Sequence, residues 1–67
     1  MNFIHRLLYP RWRLSVQIRN TWINIGYHYS RARAKRKGME LMDWNPKAQA
    51  YHVMDDETGE IAEEGYR

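Results

Sequence analysis

The chain has 67 residues, with 11 Lys or Arg, eight Asp or Glu, three His and no Cys, and a formal charge of +3. A chain this short buries only about 60% of the surface its unfolded form exposes, so its core is marginal and association with a second copy or a partner is expected. The absence of Cys excludes disulfides and thiolate metal sites. His5, His28 and His52 are too scattered for the short ligand spacing of a zinc site, so neither a metal nor a cofactor is expected.

The charge is strongly segregated. Residues 1–38 hold nine Arg or Lys and no acid, whereas residues 39–67 hold all eight acids against Lys47 and Arg67, so the halves carry +9 and −6. Such asymmetry points to a first half that faces a polyanion, to electrostatic closure of one half on the other, or to both. The expected organisation is a single small domain, 1–67, with a basic, aromatic-rich helical half (1–38) and an acidic β-meander half (39–67).

In chain order, "MNFIHRLLYP" makes a poor secretory signal, because Arg6 and Pro10 interrupt any apolar core. No run approaches the roughly 18 apolar residues of a membrane span, and a cytoplasmic protein is expected. From Arg11 to Lys37 two periods compete. Helical spacing places Leu7, Leu14, Ile18, Trp22, Ile25 and Tyr29 in one stripe and Trp12, Val16, Ile23 and Tyr27 in another. The same residues alternate as strands in "RWRLSVQI" and "INIGYHY", with a turn at Asn20-Thr21. The good helix formers of "SRARAKRK", and Gly38 read as a C-cap, favour the helix. Beyond it, "MELMDW", "AYHVMD" and "EIAEE" read as short strands separated by Asn45-Pro46 and by "DETG", where Gly59 supplies a positive φ. The expected fold class is therefore α+β: a long basic N-terminal helix, broken at Pro10 or continuous through it, followed by a small three-stranded antiparallel meander. An all-β small barrel is the alternative.

The chemistry concentrates in the basic half. Arg31, Arg33, Lys35, Arg36 and Lys37 put five cations in seven residues, joined upstream by Arg11, Arg13 and Arg19. Arg donates paired hydrogen bonds to phosphate and stacks on bases. Trp12, Trp22, Tyr27 and Tyr29 lie among these arginines and offer planar surfaces to unpaired bases. The leading reading is a small non-enzymatic binding protein that contacts nucleic acid or a nucleoprotein assembly through a basic, aromatic-interleaved helix. The alternative is a protein-interaction module, a small viral or bacterial regulator or inhibitor docking on a host or partner protein through the same aromatics, since Trp, Tyr and Arg also dominate interface hot spots. A third reading uses "FIHRLLYPRWRL" as a segment lying on an anionic membrane surface.

Catalysis finds no support. "DDETGE" is too short for a calcium loop and reads as a turn. Ser15 and Ser30 lack a nucleophile-elbow context, and no Gly-rich phosphate loop is present. No catalytic residue is expected.

Overall fold

The computed structural model describes residues 9–67. Leu7 of the first stripe, His5, Arg6 and the start of the membrane-surface segment lie outside the described residues. Within these residues four strands and one helix follow one another as β1 (Trp12–Ile18), β2 (Thr21–His28), α1 (Arg31–Trp44), β3 (Ala48–Asp55) and β4 (Ile61–Tyr66). All four strands join one antiparallel sheet in the order β2-β1-β3-β4.

This corrects the expected fold. The helix expected from Arg11 to Lys37 gives way, over Trp12–His28, to a hairpin: "WRLSVQI" and "TWINIGYH" are paired strands, and alternation wins over helical spacing. The two-residue turn falls on Arg19 and Asn20, at φ 53° and 65°, one position earlier than the Asn20-Thr21 turn expected. Two positive φ values make it the mirror-image turn whose twist suits a hairpin. The all-β barrel is equally overturned, because a helix follows the hairpin. The meander is also overturned: "MELMDW" belongs to the helix, which leaves only the β3–β4 hairpin in the acidic half. The division into a helical half and a β half goes with it, since β1 from the basic half pairs with β3 from the acidic half.

Local chemistry explains the helix bounds. Ser30 adopts an extended backbone, and its hydroxyl accepts from the Arg33 N–H at 3.3 Å, satisfying one of the free amides of the first turn. At the other end Asn45 donates its N–H to Leu41 O at 2.9 Å, and its side chain accepts from Lys47 N–H before the chain enters β3. Gly38 is not the C-cap. It sits inside the helix because a Cβ there would lie 2.7 Å and 2.8 Å from Cδ2 and Cγ of Tyr51. Gly65 on β4 lies against the same ring. The absent side chains at both positions make room for Tyr51.

Residues opposite one another across an antiparallel pair share a face. Leu14, Val16, Tyr51 and Val53 therefore point toward the helix, where Ala34 and Gly38 approach them. Leu14, Val16 and Val53 are the largest fully buried side chains, each stabilising by about 1.5–3 kcal/mol. The core is small, and one helix covers one face of the sheet. Among the described residues no helix or strand covers the other face.

Candidate binding surfaces

The open face is built from alternate residues. By register it carries Trp22, Asn24 and Tyr27 from β2, Arg13, Ser15 and Gln17 from β1, Ala50, His52 and Met54 from β3, and Glu64 and Tyr66 from β4. Trp22 reaches across β1 to stack on His52, with ring centroids 4.0 Å apart and planes 24° from parallel. His52 in turn meets Tyr66 edge-on at 6.1 Å, and its Nε2 lies 3.2 Å from the Tyr66 hydroxyl. An aromatic row thus spans the sheet from edge strand to edge strand. Ala50 in the neighbouring register row is fully buried. Trp22 and Tyr66 nevertheless keep 42% and 64% of their surface exposed, so their rings remain open to a flat ligand.

Charge on this face is close to balanced. Arg13 holds Met54 Sδ at 2.7 Å and lies 3.9 Å from Asp56. Glu64 accepts from the Tyr66 hydroxyl at 3.2 Å. Partial burial and the Glu64 carboxylate together raise the Tyr66 phenol above its ordinary range. Arg19, on the turn beyond Trp22, has no acidic partner among the described residues.

The remaining expected site residues lie elsewhere. Arg11 forms a two-pronged pair with Asp55, Nε to Oδ1 at 2.7 Å and Nη2 to Oδ2 at 2.6 Å. That guanidinium outweighs the effect of burial and, with the Glu57 and Thr58 amides, brings the Asp55 carboxyl down to about 2. Trp12 lies under Arg11 and packs against the core, so it is no surface platform. Arg31 and Lys35 converge on Glu63 of β4, Arg31 Nε at 2.6 Å and Lys35 Nζ at 3.2 Å, and both lower the Glu63 carboxyl. Arg33, Arg36 and Lys37 are exposed at i, i+3 and i+4 on the outer flank of α1, with no acidic partner among the described residues. Tyr29 is 64% exposed in the link from β2 to α1.

The expected basic, aromatic helix is therefore dismantled. Its aromatics Trp22 and Tyr27 lie on the open side of the sheet, while its free cations Arg33, Arg36 and Lys37 ride on the helix behind it. The ion pairs Arg11–Asp55, Arg11–Glu57, Arg13–Asp56, Arg31–Glu63 and Lys35–Glu63 all join residues 1–38 to residues 39–67. The charge asymmetry serves closure of the two halves to that extent. "DDETGE" forms the β3–β4 turn, with Gly59 at φ 77° donating its N–H to Asp55 O. Among the described residues no helix is long and apolar enough to cross a membrane.

Sequence reasoning missed His52 and Tyr66, which complete the row. Their only signal was alternation within β3 and β4, and the pairing that brings them to Trp22 depends on a strand order that alternation does not specify. It also missed Trp44, 87% exposed beside Leu41 in a groove along α1. No protein-family model, curated protein or solved structure matches the chain.

Proposed function

We propose that this chain is a small cytoplasmic binding protein, without catalysis of its own, that receives single-stranded nucleic acid on the open face of its sheet. The observation that carries the reading is the Trp22–His52–Tyr66 row, with Trp22 and Tyr66 exposed, on the sheet face opposite the helix. Unpaired bases stack on such rings in a sequence-tolerant way, each stack contributing about 1–3 kcal/mol. Ser15, Gln17 and Asn24 share this face by register and carry hydroxyl and amide groups suited to base edges. Arg13 and Arg19 are the cations within reach of a backbone crossing this face. Arg33, Arg36 and Lys37, on the far side, raise the local potential and the encounter rate without touching the bound strand.

The near-balance of charge on the face favours a second reading, in which the aromatic row docks on a partner protein as a hot spot. Salt separates the two. Titration of fluorescein-labelled oligo(dT) and oligo(U) by anisotropy at two salt concentrations is the test. Binding at low salt is expected, with a slope of log affinity on log salt of about −0.7 to −1.4, one or two phosphate contacts on a single strand. Trp22→Ala should weaken binding roughly 5- to 150-fold. Absence of binding at low salt, or binding indifferent to Trp22→Ala, overturns the nucleic-acid reading and leaves the protein-docking one.

A further inference from the structure

The two edges of the sheet are protected unequally. β4 is a short edge of six residues and carries Glu63 and Glu64, the sort of charge that blocks strand addition. β2 has eight residues, "TWINIGYH", with no Lys, Arg, Asp or Glu. Its Trp22, Ile23, Ile25 and Tyr27 are 41–47% exposed, on both sides of the sheet. The helix lies mainly over β3 and β1, so Ile23 stays open even on the covered face. An exposed, uncharged, apolar edge is a template for another strand.

From this edge we infer that two copies of the chain associate through β2, antiparallel about a two-fold axis at Ile23, to form one eight-stranded sheet. The register follows from the hairpin. Ile18 and Thr21 flank the two-residue turn and form its hydrogen-bonded pair, as do Val16 and Ile23 two residues on. The backbone N–H and C=O of Trp22 and Asn24 therefore face outward. Pairing Trp22 with Asn24 of the second copy, and Asn24 with its Trp22, satisfies these groups with four hydrogen bonds. It sets Ile23 directly opposite Ile23 and keeps both helices on one side. The bulge at Ile25, where the β1–β2 register slips between Leu14 and Ser15, ends the shared ladder.

A second copy fits this edge better than an unrelated strand. An isologous contact sets each residue against its own kind or its neighbour, which is free of repulsion only when the strand is uncharged, as β2 is. Within the shared ladder Ile23 and Ile25, 42% and 41% exposed in the protomer, bring apolar side chains to the contact, while the Trp22 ring stays on the open face. The dimer would also join the two open faces into one platform about 34 Å across its strands.

The chain has no Cys, so single cysteines report the contact cleanly. The Ile23→Cys variant should oxidise to a disulfide-linked dimer, because directly opposed residues of a non-hydrogen-bonded pair lie ~4.5 Å apart at Cα, within disulfide reach. Asn24→Cys, offset from its own copy by two positions, should cross-link far less. Light scattering of the wild type from 1 to 100 µM (about the range spanned by a weak to moderate dimer) should show twice the protomer mass at the upper end. Ile23→Lys, which opposes two like charges, should return it to protomer mass with an unchanged circular dichroism spectrum. A wild type at protomer mass throughout, or an Ile23→Cys variant that cross-links no better than Asn24→Cys, overturns the inference. If Ile23→Lys fails to fold, the paired cysteine variants decide alone. None of these measurements involves nucleic acid, so their failure is distinct from that of the proposed function.

Discussion

Gly38→Ala tests the packing of helix on sheet, because two effects of known size act there with opposite sign. In an open helix the change would stabilise by about 1 kcal/mol, since Ala is a far better helix former than Gly. Here the added methyl would lie 2.7 and 2.8 Å from two carbons of the Tyr51 ring and 3.1 Å from Leu14 Cδ1. Carbon pairs settle near 3.5–4.0 Å, so the ring would have to move by about 0.7 Å or more. It cannot retreat freely, because Tyr51 is 5% exposed and Gly65 closes its other side. Overpacking of this kind costs about 1–3 kcal/mol. The net expectation is a destabilisation of roughly 1 kcal/mol, read as a fall of about 1 M in the urea midpoint at the slope usual for a small chain. Combined with Tyr51→Leu, which removes the ring, the same Gly38→Ala change should stabilise. A Gly38→Ala protein more stable than wild type with Tyr51 in place would refute the reasoning.

Two further outcomes follow from local electrostatics and backbone geometry. Asp55 has its carboxyl lowered to about 2 by Arg11, so its pairing stabilises the fold fully above the unfolded value near 3.8 and progressively less as pH falls toward 2. The stability gap between wild type and Asp55→Asn, measured by urea titration at stepped pH, should accordingly be constant above pH ~4 and shrink below it; a gap independent of pH down to ~2 would count against the pair. Arg19 and Asn20 both occupy positive φ, which Asn and Gly tolerate best, so Arg19→Asn with Asn20→Gly should raise stability by about 1 kcal/mol in thermal or urea unfolding.

Much of the strand structure was legible in the sequence, and the misreading has a specific cause. "RWRLSVQI" and "INIGYHY" alternate cleanly, yet apolar residues at every second position also fall at i+4, so they generate apparent helical stripes. Gly38 then tipped the reading, because a glycine after a run of helix formers resembles a C-cap. Its actual reason is three-dimensional: it admits a ring from β3, thirteen positions on, which no local rule reports. The candidate site suffered in the same way. Five cations in seven residues look alike on paper, but Arg31 and Lys35 face β4 and are held by Glu63, while Arg33, Arg36 and Lys37 are turned outward. Trp22 was identified from composition alone, whereas its partners His52 and Tyr66 depend on strand order.

That strand order has a consequence for synthesis on the ribosome. β1 and β3 are the two central strands, and each comes from a different hairpin. When β1 and β2 have emerged, the inner edge of β1, with Leu14 and Val16 beside it, has no neighbour until β3 follows. Val16 pairs with Tyr51, thirty-five positions later, an interval of roughly 2–7 s at ordinary elongation rates. For that time the nascent hairpin presents two bare apolar edges rather than one, and neighbouring chains on the same message are the strands nearest to hand. The helix is made during this interval, before β3 is complete. A slow codon cluster within it would lengthen the exposure, and one placed after Asp55 would not.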